Sequence, residues 1–138
     1  MNTVQKGRIG LSMAINYFTL NGYTVLLPLN DTQSYDMAIE KDGIIKTVQC
    51  KSTWEVSRNN PAGYVLSLRT IGGSKGTCYY TVTDTNVDFL FCYRGDGVMY
   101  LIPVDDIRSS NCKTTITLVT KRSKKSTALL ETEKYIIS

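Results

Sequence analysis

Hydrophobic side chains cover most of the circumference of the first predicted element, a helix from about Thr3 to Leu20. A single polar stripe interrupts them on a helical wheel, made of Ser12, Asn16 and Thr19. A helix with so few polar positions is typically covered on several sides, and we expect that here. Asn21-Gly22 then ends the helix, because glycine readily adopts the left-handed conformation of a C-terminal cap.

The residues after the helix form short runs rich in β-branched and aromatic side chains, a pattern typical of strands. We expect strands at residues 24–27, 35–40, 44–53, 63–70, 77–83, 87–93, 98–103 and 114–120. Asp42-Gly43 predicts a tight hairpin turn between the second and third of them. A helical turn is expected at residues 104–109, whereas residues 129–137 fit a strand or a helix. This order predicts one mixed α/β domain over residues 1–138, with the first helix packed against a curved sheet.

The third predicted strand, residues 44–53, has two faces of different character. Because side chains alternate along a strand, Gln49 and Lys51 stand side by side on one face. Burying a lysine beside an amide costs free energy unless an anion comes to meet it. The predicted hairpin brings the start of the preceding strand to this end, which makes Asp36 the candidate partner of Lys51.

A few residues around this strand resemble the signature of the PD-(D/E)xK nuclease superfamily: Pro28, Asp36 and Gln49-Cys50-Lys51. Most members carry an acid where this chain has Gln49. The helix opening Lys6-Gly7-Arg8-Ile9-Gly10 is similar to the bacterial branch that contains group I intron homing endonucleases, in which glutamine is known at that position. The likeness covers residues 6–53 well, and beyond them only the strand pattern is similar. It implies a restriction-endonuclease-like core, a mixed β-sheet with an N-terminal helix packed against it and additional β-hairpins.

The resemblance also implies a chemistry, the hydrolysis of phosphodiester bonds with Mg²⁺ or Mn²⁺, hard cations that prefer oxygen ligands. Asp36 and the backbone carbonyl of Cys50 would hold the metal, and Lys51 would position the attacking water and stabilise developing negative charge. Gln49 offers only a neutral carbonyl oxygen, so it would bind metal weakly or orient the water or the scissile phosphate. Considered without the resemblance, Asp36 and Lys51 are better explained as a partly exposed ion pair.

One position departs from the pattern of this branch. The Lys-Gly-x-x-Gly opening of the helix is normally followed by a glutamate that reaches the metal, whereas this chain has Leu11. On one interpretation, Leu11 is simply a core residue on the stripe of Val4, Ile15 and Phe18. On the other, the site has lost a carboxylate, naturally or by deliberate inactivation, and activity falls by orders of magnitude.

Two regions are candidates for contact with double-stranded DNA. A glycine-rich hairpin tip at residues 71–77 has the size of a ribbon that enters the major groove, with Arg69 and Lys75 placed to reach guanine edges. The second region is the basic cluster of Lys121, Arg122, Lys124 and Lys125, in a C-terminal part that carries seven Lys or Arg and two Glu from residue 107 onward. Arg58 is a further candidate near the site. Mobile loops and solvated turns explain these features as well.

Composition narrows the classes of function. The formal net charge is +4. The chain has no histidine, and its four cysteines show no paired spacing, which argues against a zinc cluster or a Cys/His catalytic pair. No run reaches the length of a membrane span, and no apolar signal segment opens the chain, so we expect a soluble, cytoplasmic protein without a membrane partner.

These features together predict a site-specific DNA endonuclease that resembles the intron homing endonucleases and is impaired at Leu11. A catalytically dead DNA-binding protein and a Holliday-junction-resolving nuclease of the same fold are the alternatives. Because one domain has one site, cutting both strands requires a symmetric homo-oligomer, and the resemblance favours a tetramer over a dimer. We expect residues 87–93 and 98–102 to contribute to its interfaces.

Overall fold

A computed structural model describes residues 1–30, 32–58, 63–72, 78–121 and 129–137. The two helices are α1 (Thr3–Leu20) and α2 (Val104–Ser109). The strands are β1 (Thr24–Leu26), β2 (Met37–Lys41), β3 (Ile44–Thr53), β4 (Tyr64–Ser67), β5 (Arg69–Gly72), β6 (Cys78–Thr81), β7 (Phe89–Arg94), β8 (Met99–Pro103), β9 (Thr115–Leu118) and β10 (Ile136–Ile137). Short 3₁₀ turns at Val82–Asp84 and Thr132–Tyr135 complete the described elements.

The main sheet has the strand order β1-β2-β3-β7-β8-β10. β3 and β7 run parallel, and the other neighbours are antiparallel. β2 begins at Met37, opposite Val48. In the described part of the chain, the last residues of β3 therefore have a strand neighbour only on the β7 side. This leaves an open stretch of strand edge in the middle of the sheet.

The hairpin between β2 and β3 follows the sequence prediction. Asp42 and Gly43 both have positive φ angles, 54° and 80°. These are the angles of the primed turns that match the twist of antiparallel strands. The predicted bounds of α1, β3 and α2 are also confirmed.

The run predicted as one strand over residues 63–70 changes its partner at Leu68. β4 pairs with β9, whereas β5 pairs with β6. Leu68 is fully buried between them, and its backbone bonds to both neighbours, to Thr114 at 2.8 Å and to Val82 at 3.1 Å. Burial of this leucine separates the β5–β6 ribbon from the β4–β9 pair.

Two hydrophobic clusters stabilise the described part of the fold. The smaller of them, called the second hydrophobic cluster below, joins α1 to the sheet. It consists of Ala14, Phe18, Met37, Ile39, Val48 and Phe91. Gly10 lets the helix approach β3 closely, because a Cβ there would lie 3.2 Å from Cβ of Ser52. Within the described residues, the fully buried positions of α1 lie on one face, at Gly10, Ala14 and Phe18, and not on several sides as expected. Among the described residues, no helix is long and apolar enough to cross a membrane.

The strands expected at the oligomer interface lie inside the main sheet. Residues 87–93 and 98–102 coincide largely with β7 and β8, two inner strands of the main sheet. Their apolar side chains already fill this chain's own core, and Leu90, Phe91, Tyr100 and Ile102 have no exposed surface. Alternate positions of the same strands, Phe89, Tyr93, Met99 and Leu101, are only partly buried, so a contribution of these strands to an interface stays a prediction.

Candidate active site

The open edge of β3 is closed at one point by Asp36. Its backbone N–H donates to the carbonyl of Val48 at 2.9 Å, which holds the residue just ahead of β2. The carboxylate then accepts a hydrogen bond at Oδ2 from the N–H of Cys50, at 2.7 Å. The Asp36 side chain thus takes the place that a strand neighbour would have, because the sequence places an acid just before the first residue of β2.

Cys50 contributes its backbone rather than its thiol. The N–H and the C=O of one strand residue point to the same side, so the Cys50 carbonyl faces the side from which Asp36 approaches. Burial, with smaller contributions from Asp36 and Cys92, raises the pKa of the Cys50 thiol well above its ordinary value. The thiol is therefore protonated and a poor metal ligand, whereas the carbonyl oxygen is a suitable one.

Gln49 lies on the opposite face of β3 from α1 and is 4% exposed. Its Nε2 donates to the hydroxyl of Thr70 on β5, at 3.1 Å. Its Oε1 is buried and has no partner among the described residues. Leaving a buried polar atom unpaired costs about 1–3 kcal/mol, so this oxygen is available for a water or a cation.

Lys51 shares this face with Gln49, and its ammonium donates to the carbonyl of Arg69 at 2.9 Å. Burial lowers the pKa of Lys51, and the charge of Asp36 partly opposes that change. Burial likewise raises the pKa of Asp36, although the Cys50 N–H and Lys51 act in the other direction. Among the ion pairs of the described residues, none joins Asp36 to Lys51. Each of the two charges therefore affects the pKa of the other group, but the two side chains do not form a direct ion pair.

Leu11 lies on α1, half-buried, and packs against the second hydrophobic cluster. That environment suits a leucine. Its position on the helix, one residue after the close contact of Gly10 with Ser52, also keeps it near the end of β3 that carries the candidate site. Its interpretation as a lost metal ligand remains a prediction.

The oxygen atoms at this site are possible ligands for the divalent cation that the resemblance implies. In the described part of the chain, no three His, Cys, Asp or Glu residues form a cluster that could hold a metal ion. The available oxygens are one carboxylate at Asp36, the Cys50 carbonyl and the unpaired Oε1 of Gln49. Mg²⁺ is often held by one or two carboxylates together with substrate phosphates and waters. The residues present therefore fit such an ion, with its remaining positions open to waters and to substrate phosphate oxygens.

The predicted DNA contacts are only partly within the described residues. Arg69 is exposed at the start of β5, and Arg58 and Lys121 are exposed in loops. The remaining candidates lie outside the described residues: Lys75, Arg122, Lys124 and Lys125. The sequence analysis did not identify Thr70. Its hydrogen bond to Gln49 depends on the change of strand partner at Leu68, which no local sequence pattern predicts.

The helix packed on a mixed sheet and the acid and lysine at an interrupted strand edge together agree with one family of proteins. The sequence profile of the PD-(D/E)XK endonuclease family matches residues 1–138, and the chain belongs to this family. The predicted restriction-endonuclease-like fold is thereby confirmed.

The chain is also similar to one particular solved structure, that of a bacterial homing endonuclease, I-Ssp6803I. The two share 26% sequence identity and superpose with a TM-score of 0.70. The match covers 98% of this chain and 87% of the other. No curated protein matches the chain.

Proposed function

We propose that this protein is a site-specific endonuclease of double-stranded DNA that requires a divalent metal and is impaired at Leu11. The observation that carries the proposal is the hydrogen bond from the Cys50 N–H to Asp36, which fixes a carboxylate at the open edge of β3 beside Gln49 and Lys51. The family membership and the likeness to a homing endonuclease support the same class of activity.

The residues have distinct roles in this proposal. Asp36 and the Cys50 carbonyl would hold the metal, which when bound would polarise the phosphoryl oxygen and lower the pKa of a water. Gln49 uses its unpaired Oε1 to accept a hydrogen bond from the attacking water and orient it. Lys51 leaves the Arg69 carbonyl and stabilises the negative charge that develops on the phosphate.

Leu11 explains why activity is weak in this proposal. With one carboxylate instead of two, the site neutralises less phosphate charge and holds the metal more loosely. Removal of a single key electrostatic group lowers catalytic rates by about 100- to 1,000-fold in other enzymes. We expect slow cleavage rather than none.

Assembly follows from the number of sites. One chain carries one site, so cutting both strands of a duplex requires two copies related by a two-fold axis. A single small module buries only about 600–1,000 Å² on DNA, which is little surface for a long target. A homo-oligomer, a tetramer rather than a dimer, supplies both the second site and the additional DNA contact.

Two substrates, each tested with and without Mg²⁺, separate this function from its two rivals. The parent and Lys51→Met proteins are incubated with a randomised library of linear duplexes and with a four-way junction, each with and without Mg²⁺, and the cut ends are sequenced. We expect the parent to cut a small, related set of linear duplexes only with Mg²⁺, and Lys51→Met to bind DNA without cutting. Preferential cutting of the junction would indicate a resolving nuclease, and binding without metal-dependent cuts would indicate a DNA-binding protein.

A further inference from the structure

A cleft of about 560 Å³ opens between the first turns of α1 and the end of β3. Cys50 and Lys51 line one part of it, so the cleft is continuous with the proposed active site. Lys6 and Gly7 line it from α1, and Trp54 lines it from the residues that follow β3. The proposed roles of Asp36, Gln49 and Lys51 leave this cleft without an occupant.

Lys6 is held firmly at the edge of the cleft. Its backbone carbonyl accepts a hydrogen bond from the hydroxyl of Ser52 at 2.9 Å, which ties the first turn of α1 to β3. Its ammonium lies 5.4 Å from the centre of the Trp54 ring. None of the ion pairs between described residues involves Lys6, so its charge is not neutralised by a neighbouring carboxylate.

Trp54 provides a fixed surface under that ammonium. A Cβ at Gly95 would overlap the indole, so the glycine allows the ring to pack directly on the chain. Tyr93 packs against the same ring, with ring centroids 5.9 Å apart. A lysine above an aromatic face is stabilised by about 0.5–1 kcal/mol at exposed sites, which favours one position of the Lys6 ammonium.

The charges of the cleft indicate the chemistry of its occupant. Lys6 and Lys51 bring two positive charges and Glu55 brings one negative charge, a net +1. Hydroxyls of Thr3 and Ser67 add donors along the walls. A positively charged, hydroxyl-lined groove that starts at a phosphodiester-cutting site is suited to the phosphates on either side of the one that is cut.

We propose that this cleft binds the DNA strand beside the scissile phosphate, with Lys6 contacting a neighbouring phosphate and Trp54 holding Lys6 in place. The inference rests on the proposed function and extends it with a second phosphate-binding position. Lys6 contacts the substrate strand but takes no part in the bond-breaking step.

Lys41 offers a matched control. Its ammonium lies 5.0 Å from the centre of the Tyr23 ring, so it makes the same kind of contact, but it is not part of the cleft lining. Lys6→Met and Lys41→Met each remove one charge and one cation–π contact. Only the first should affect DNA bound in the cleft.

Trp54 is the protein's single tryptophan, so its fluorescence reports on the cleft directly. The experiment titrates each protein with a fluorescently labelled duplex library at several KCl concentrations without metal, and follows both duplex anisotropy and Trp54 emission. We expect DNA to change Trp54 emission in the parent and in Lys41→Met. Lys6→Met should bind more weakly, and the slope of log affinity against log salt should fall in magnitude by about 0.9, the value for one lost phosphate contact.

The possible failures differ from one another. If anisotropy shows saturated binding while Trp54 emission stays unchanged, or if Lys6→Met and Lys41→Met have equal slopes, the cleft does not bind the strand and the inference is wrong. If the parent protein does not bind DNA at low salt, the proposed function is wrong, and the inference that rests on it is wrong as well. Circular dichroism of all three proteins verifies that each is folded.

Discussion

At the scale of single residues, the candidate site holds two charges whose burial costs more than their neighbours return. Burial raises the pKa of Asp36 and lowers the pKa of Lys51, so each charged form is less favourable in the folded chain than in water. Such pairs of groups with displaced pKa values are frequent at catalytic sites and uncommon on inert surfaces. Burying these two charged groups lowers the stability of the folded chain, and that effect can be measured.

Asp36→Asn should make the protein more stable at pH 7. The unfolded chain ionises Asp36 near its ordinary pKa of 3.8, whereas the folded chain keeps the proton to higher pH, so stability is lost as pH rises through that interval. Asparagine cannot ionise, and its carbonyl still accepts from the Cys50 N–H. Thermal melts should show a higher Tm than the parent at pH 7 and little difference at pH 3. An Asp36→Asn protein that melts lower than the parent at pH 7 would mean that Asp36 is a structural anchor.

At the scale of elements, β5 holds two candidate catalytic side chains at once. Thr70 accepts from Gln49, and the Arg69 carbonyl accepts from Lys51. β5 belongs to the β5–β6 ribbon, which is separate from the main sheet. The element predicted to reach the DNA groove therefore also positions the residues that would act on the phosphate.

Thr70→Val keeps the shape of the side chain and removes its hydroxyl. Gln49 would then lose its remaining partner, and we expect a roughly tenfold slower cleavage step, the equivalent of about 1.4 kcal/mol, with unchanged DNA affinity. Single-turnover cleavage and equilibrium binding, in the parent and in a Leu11→Glu background, separate the two effects. Thr70→Ser retains the hydroxyl and should behave like the parent. Equal losses for valine and serine would show that packing, not the hydrogen bond, matters at this position.

A second connection between elements joins β9 to the main sheet through Arg94, which is 7% exposed. Its guanidinium donates to both carboxylate oxygens of Asp96, to the Tyr100 hydroxyl and to the carbonyl of Leu118. It also lies 4.4 Å from the centre of the Tyr64 ring on β4. This one side chain links two strands outside the main sheet to β7 and β8.

Arg94→Met should lower the free energy of unfolding by about 2–3 kcal/mol, because the buried Leu118 carbonyl is left without this donor. Asp96→Asn is the control, since the Asp96 side chain is 40% exposed and can be solvated. It should cost under about 1 kcal/mol. Urea denaturation measures both, and equal small effects would contradict the central role of Arg94.

The sequence predicted local elements well and long-range pairing poorly. The bounds of α1, β3 and α2 follow from periodicity and caps, and Asp42-Gly43 alone determines the β2–β3 hairpin that brings Asp36 to Cys50. The partner change at Leu68 depends on contacts between residues distant in sequence, so neither Thr70 nor the inner position of β7 and β8 was predictable. Trp54 and Gly95 meet for the same reason.

At the scale of the whole molecule, β1 forms one of the two edges of the main sheet within the described residues. Large apolar side chains are exposed at its end: Leu26, Leu27 and Leu29. An unprotected strand edge with exposed apolar residues is a typical site of association between copies of a chain. We therefore expect this edge, in addition to β7 and β8, to contribute to an interface.

We expect sedimentation equilibrium without DNA to show a tetramer at micromolar concentration. Leu27→Glu combined with Leu29→Glu should shift it to smaller species, because charges placed at the edge would have to be buried. Lys46→Glu, an exposed change on β3, is the control and should leave the mass unchanged. A monomeric parent would exclude the tetramer and leave only assembly on DNA.

The central claim is that Asp36, Gln49, Cys50 and Lys51 form a metal-dependent DNA-cleaving site that lacks one carboxylate at Leu11. Leu11→Glu would restore that carboxylate at a cost of about 1–2 kcal/mol in stability, because the side chain is half-buried. Leu11→Gln has the same shape and polarity without the charge, and Leu11→Glu with Lys51→Ala restores the carboxylate but removes the lysine.

The deciding measurement is the rate of Mg²⁺-dependent cleavage of the duplex library by the parent, Leu11→Glu, Leu11→Gln and the double variant. We predict that Leu11→Glu cuts at least about 100-fold faster than the parent, in line with the effect of a key electrostatic group, and that the other two variants do not. A Leu11→Glu protein that is folded and binds DNA, yet cuts no faster than the parent with Mg²⁺ or Mn²⁺, would contradict the account.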